Sequence, residues 1–252
     1  MAIWDDPQTR TERSGFNTAT VGVPRATRDA GLRSYMLSVY NYMASGVLLT
    51  GIIALGFANS SLINLIVNPA TGQATPLFWI ALFAPLAVVF ALSFGINRIS
   101  AGTAQALFWI YAALVGVQFS SLFLVYTGVS IAQTFFAVAA GFAGLSLWGY
   151  TTKKDLSGMG SFLIMGVFGL FVALIINMFL RSPGLQLATS AIGVLLFAGL
   201  TAYDTQKIKS IYFVVAGNGE AMAKTAVIGA LNLYLDFINM FLFLLRFMGQ
   251  RR

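Results

Sequence analysis

The chain has 252 residues, of which 58% are hydrophobic and only 9% charged, with a mean hydropathy of +0.81. A soluble domain carries about 25% charged residues, so there is too little polar material here to cover a globule, and the outer surface must face lipid. The net charge of +7, with no cysteine and no histidine, excludes disulfides, thiol nucleophiles, histidine proton relays and ordinary zinc sites. The basic residues fall outside the apolar runs, as in a membrane protein oriented by flanking Lys and Arg, and not as on a nucleic-acid-binding face.

Residues 1–34 read as a polar, basic arm, too long and polar to be a secretory signal. Residues 35–246 hold seven apolar segments at 35–58, 76–97, 105–126, 131–150, 159–180, 185–209 and 226–246. Each is long enough to cross about 30 Å of hydrocarbon at helical rise. Residues 247–252 form a short basic tail. Between the first two segments, the apolar stretch Leu62–Val67 is far too short to cross. The turn Thr127–Ser130 forces segments three and four into an antiparallel hairpin. Trp79, Trp148, Tyr150 and Tyr212 fall near segment ends, where an interfacial aromatic belt belongs. The pairs Ala112 and Gly116, Ala137 and Gly141, and Ala140 and Gly144 have the spacing that allows close helix approach within a bundle.

Lys and Arg set the orientation. With the N-terminus in the cytoplasm, that side holds Arg10, Arg13, Arg25, Arg28, Arg33, Arg98, Lys153, Lys154, Lys207, Lys209 and Lys224. The opposite side holds Arg181, with Arg246, Arg251 and Arg252 if the seventh segment crosses fully. A re-entrant seventh segment would return those three to the cytoplasm.

The polar residues inside the membrane carry the chemistry. Asn232, Asp236 and Asn239 follow i, i+4, i+7 spacing and share one helix face amid Leu, Phe, Ile and Met. An ionised Asp at mid-helix costs about 2.5–3.5 kcal/mol even on lenient scales, which implies a cavity, a partner or a bound proton. Asp204, preceded by Tyr203, lies where the sixth segment turns into charged sequence; it reads either as an interfacial carboxylate paired to a nearby Lys or as a functional group. Arg98 reads as a positive-inside anchor or as a forked donor that latches Asp204. Two carboxylates sharing a site cannot easily both ionise and titrate as a unit, so Asp204 and Asp236 together would form a pH switch without histidine. With Asn232, Asn239 and Tyr203 as possible cation contacts, such a pair suits weak, transient passage of Ca²⁺, which wants six to eight oxygens for tight binding.

The stretches Ala202-Tyr203-Asp204-Thr205-Gln206-Lys207-Ile208-Lys209 and Leu233-Tyr234-Leu235-Asp236-Phe237-Ile238-Asn239, the latter running on through Leu244-Leu245-Arg246, resemble the transmembrane Bax inhibitor motif family. Tyr150-Thr151-Thr152-Lys153-Lys154-Asp155-Leu156-Ser157 adds to the match, which looks most like the bacterial inner-membrane branch. The resemblance implies an all-α fold of six transmembrane helices around a central seventh. It implies a pH-sensitive calcium leak with a di-aspartyl sensor at Asp204 and Asp236 and a latch arginine at Arg98, and no resident cofactor. Some bacterial members suggest instead a non-conducting regulator that binds another membrane protein, such as a membrane protease. The connection Ser210–Lys224 appears longer than in compact members. An intramembrane aspartyl protease is disfavoured, because Asp236 follows Leu-Tyr-Leu in place of Gly-x-Gly and no Pro-Ala-Leu motif occurs, so no enzymatic activity is expected.

Overall fold

The computed structural model describes residues 25–252, with side chains from Asp29 onward. Arg10 and Arg13 and most of the arm lie outside the described residues, as do the side chains of Arg25 and Arg28. The helices are α1 Arg25–Ala58, α2 Pro76–Gly95, α3 Ala101–Phe119, the short α4 Leu122–Val125, α5 Gly128–Thr151, α6 Ser157–Leu180, α7 Pro183–Val215 and α8 Gly219–Met248. Seven stretches among them are long and apolar enough to cross a membrane, with α3 and α4 together making the third.

The helix starts follow local chemistry. Ser100, Thr127, Ser182 and Asn218 each accept a hydrogen bond from a backbone N–H of the first turn they precede, satisfying donors that lipid would leave bare. Pro76 and Pro183 occupy first-turn positions, where a missing N–H costs nothing. Arg181 ends α6 in the left-handed region, and Gly217 takes a positive φ in the turn that joins α7 to α8.

α8 is the central helix. In its most apolar stretch 67% of residues are buried, against 11% for α2 and for α6. It packs on α1, α3, α5 and α7, whereas α2 leans mainly on α3 and α6 on α7. Four helices therefore hold the centre and two stand outside, a less even ring than six equivalent neighbours. Large apolar side chains such as Phe94, Phe136, Phe179 and Leu195 point outward, as lipid contact demands.

Several boundaries differ from those legible in hydropathy. α1 begins ten residues before position 35, within the segment read as arm. α7 continues to Val215 and α8 begins at Gly219, so the long connection expected at Ser210–Lys224 is a three-residue turn. These polar helical extensions support one another. Tyr212, expected at the lipid interface, is buried; its ring lies 5.5 Å from that of Tyr35 and its hydroxyl covers Gly31. Trp79 and Trp148 are exposed near helix ends as expected.

Of the small-residue pairs, one makes a helix contact. A methyl on Gly116 would meet Ile53 and the Thr50 carbonyl at about 2.9 Å, and Ala112 accepts a hydrogen bond from Thr50. Gly141 and Gly144 have open space beside them, and their partners Ala137 and Ala140 are exposed. Closer approach occurs where spacing gave no hint: a methyl on Gly149 would collide with the Ala202 carbonyl, locking α5 onto α7.

The seventh span crosses without interruption. The tail beyond it pairs with the α4–α5 connection through Thr127 N–H to Gln250 O (3.1 Å), Gln250 N–H to Ser130 Oγ (2.9 Å) and Arg252 N–H to Val125 O (3.0 Å). Seven crossings put this tail on the opposite face of the bundle from the start of α1.

Candidate functional site

On α8 the polar stripe is longer than three residues. Asn232, Asp236 and Asn239 are followed at the same spacing by Phe243 and Arg246, so a single face runs from the middle of the helix to its C-terminal end. The other faces are filled by Leu231, Leu233, Tyr234, Phe237 and Phe241, all buried against neighbouring helices. The stripe faces the peripheral helix α6 across a cavity.

There the structure has a cavity of about 450 Å³, lined by Asp204, Asp236, Asn232 and Asn239 and walled by apolar side chains of α6. Asp236 is only 4% exposed, and its Oδ2 has no hydrogen-bond partner. A buried carboxylate oxygen without a donor is costly unless it holds a proton or receives a cation or water. The Asn239 amide nitrogen is committed to the Leu235 carbonyl (2.8 Å), which leaves its oxygen uncommitted.

This cavity is the middle member of a column. A second, of about 470 Å³, shares Asn232 with it and extends past Asn97, Lys207, Glu220 and Lys224. A third, of about 370 Å³, shares Leu174 and Arg246 with it and is lined by Asn177, Gln186, Thr189, Ser190 and Arg251. The series follows the α8 stripe, with the carboxylates near its centre.

Asp204 from α7 and Asp236 from α8 line this same cavity, and among the described residues Asp236 Oδ2 has no donor there.

The residues around Asp204 hold its helix in place. Gln206 accepts from Leu156 N–H and donates to the Lys154 carbonyl, both at 2.8 Å, clamping the α5–α6 loop. Lys209 donates to the Tyr150 carbonyl (2.8 Å) at the end of α5 and lies over the Tyr150 ring. Thr205 bonds to Ser146 (2.9 Å), which bonds to Tyr40 (2.7 Å), tying α7, α5 and α1 together. In the same loop, hydrogen bonds from Ser157 hold the Asp155 carboxyl below the ordinary carboxylate range.

Two expected participants lie elsewhere. Tyr203 does not line the acidic cavity; its ring covers Gly160 of α6, because one residue along a helix turns the side chain by about 100°. Arg98 is exposed just after α2 and pairs with neither aspartate; among the described residues the one ion pair is Lys224 with Glu220 (2.9 Å). Lys207, one turn along α7 from Asp204, lies over the Tyr203 ring, 5.9 Å from its centroid. Sequence reasoning also passed over Thr50 and Tyr234, whose hydroxyls lie 2.6 Å apart, and the place of Arg246 on the stripe. Continuing the i, i+4, i+7 count past Asn239 reveals Arg246; nothing local reveals Thr50.

The geometry defines a multi-pass helical membrane protein with a carboxylate-lined cavity beside its central helix. The chain belongs to the family described as "Inhibitor of apoptosis-promoting Bax1", which it matches over residues 32–252. It is 48% identical over 235 residues to an uncharacterized protein of Rickettsia prowazekii, covering 93% of this chain and 97% of that one. An uncharacterized protein of Caulobacter vibrioides is 47% identical over 230 residues (89% and 91% covered). The inner membrane protein YbhL of Escherichia coli is 45% identical over 225 residues (88% and 94% covered).

Proposed function

We propose that this protein is a pH-sensitive cation leak of the bacterial inner membrane, with Ca²⁺ as its permeant ion and Asp204 and Asp236 as its proton-operated gate. The observation that carries the proposal is the column of cavities along the Asn232–Arg246 stripe, with both carboxylates in its middle member. When the carboxyls hold protons, the cavity has no net negative charge to draw a cation from water. As pH rises they ionise, repel one another and attract a divalent ion. Two carboxylates, two amide oxygens and water make a weak site that releases what it binds. No chemical conversion is part of this reading. The setting follows from the seven spans and from the E. coli relative's name; the N-terminus faces the cytoplasm because Lys and Arg crowd that end of the bundle.

The test is Ca²⁺ efflux from proteoliposomes across a pH series, native protein against Asp204→Asn. Efflux that rises with pH in the native protein and flattens in the variant supports the proposal. Liposomes that stay tight at every pH would overturn it and favour a non-conducting regulator that binds another membrane protein.

A further inference from the structure

α1 and α5 both pack on the central helix α8 without packing closely on one another, and a groove opens between them on the outside of the bundle. Ala44 on one wall and Ala139 and Ala143 on the other are too small to close it, and Phe237 of α8 forms its floor. Tyr40 bridges the two walls by its bond to Ser146 (2.7 Å). The cavity is about 630 Å³. Its lining is apolar apart from Arg33, Tyr40, Ser146 and Tyr150, which all lie in the half nearer the start of α1.

The groove has the height of one leaflet. From Arg33 to Val47 it runs about 21 Å along α1 at helical rise, and half a bilayer with its headgroups is about 20–22 Å thick. Tyr40 is joined through Ser146 to Thr205, just before Lys207 on α7, where the membrane edge falls. Arg33 stands about two turns further out, at the depth of the headgroups. It is exposed, and among the described residues it pairs with no carboxylate, Asp29 one turn back included. A guanidinium in that position takes forked acceptors, which a phosphate group supplies.

We infer that this groove holds a single anionic phospholipid from the leaflet on the side where α1 begins, with its phosphate on Arg33 and one acyl chain laid along Ala44, Ala143 and Phe237. Charge selects the headgroup. Lys153 and Lys154, just past Tyr150 at the same end, outnumber Asp155 beside them, so the mouth of the groove attracts a net negative group. Apolar burial holds the chain, because the far half of the lining offers it nothing polar. A zwitterionic lipid fills the same apolar half but brings a cation of its own to Arg33. The inference is independent of the leak.

The test strips full-length protein of lipid in mild detergent and titrates it with phosphatidylglycerol or with phosphatidylcholine of the same acyl chains. Native mass spectrometry counts the lipids retained. One phosphatidylglycerol is held at concentrations where phosphatidylcholine is lost. Arg33→Gln weakens that binding about tenfold, and Arg33→Lys, which keeps the charge, weakens it less. Ala143→Trp fills the groove and removes the bound lipid, whereas Ala140→Trp, on the same helix but outside the groove, leaves it in place. Arg33, Ala140 and Ala143 are all exposed, so these variants keep the native melting temperature in lipid-free detergent, and lost lipid is not lost folding. Equal retention of the two lipids, several lipids bound without saturation, or an Arg33→Gln or Ala143→Trp variant that holds phosphatidylglycerol as tightly as the native protein overturns the inference.

Discussion

The Tyr234 hydroxyl lies 2.6 Å from Thr50 Oγ1, and Thr50 also donates to the Ala112 carbonyl at 2.8 Å. Tyr234 is fully buried two residues before Asp236, so this contact sets the rotation of α8 and with it the direction in which the carboxylate points. A polar tie between α1, α3 and α8 thus fixes the acidic face from the opposite side of the helix.

Thr50→Val removes both bonds at nearly constant volume, and Tyr234→Phe removes one. Thermal unfolding in detergent shows Thr50→Val destabilised by about 1 kcal/mol and Tyr234→Phe by less, because Thr50 keeps the Ala112 carbonyl in the latter.

Asp236→Asn cannot ionise. In proteoliposomes its Ca²⁺ efflux loses the rise with pH that the native protein shows, and a pH-independent background remains. Asp155 does not supply the switch near neutrality: hydrogen bonds from Ser157 hold its carboxyl below the ordinary carboxylate range, so it stays ionised there. Asp155→Asn therefore leaves the efflux curve in place.

Arg98 and Lys207 separate the latch expected from sequence from a cation one turn away from Asp204 on its own helix. Lys207→Gln moves the efflux curve to higher pH, since a cation beside Asp204 favours its ionised form. Arg98→Ala leaves the curve where it was. The reverse pattern in a side-by-side titration restores the arginine latch.

Gly149 and Gly144 lie on the same helix five residues apart. Gly149→Ala drives a methyl into the Ala202 backbone carbonyl and costs about 1–3 kcal/mol. Gly144→Ala has open space and leaves the melting temperature unchanged within error.

Gln206→Ala releases the α5–α6 loop by removing the bonds to Lys154 O and Leu156 N. Trypsin then cuts at Lys153 and Lys154 several-fold faster than in the native protein, read from the rate of fragment appearance on a gel.

The sequence by itself determined the class of protein, the seven spans and the two aspartates worth examining. Hydropathy over twenty residues and the cost of a carboxylate in hydrocarbon act locally, so they are written in the chain. The stripe Asn232, Asp236, Asn239 was legible for the same reason: helical periodicity alone puts three polar groups on one face. Tertiary structure decided what those groups meet. That Asp204 shares a cavity with Asp236 while Tyr203 covers Gly160, that Arg98 pairs with neither acid, and that Thr50 orients the central helix depend on how helices far apart in sequence are rotated against one another. The helical extensions at 25–34 and 210–215 were hidden too. They are stabilised by packing of Tyr35 against Tyr212, a contact between residues distant in the chain that leaves no trace in the hydropathy of either segment.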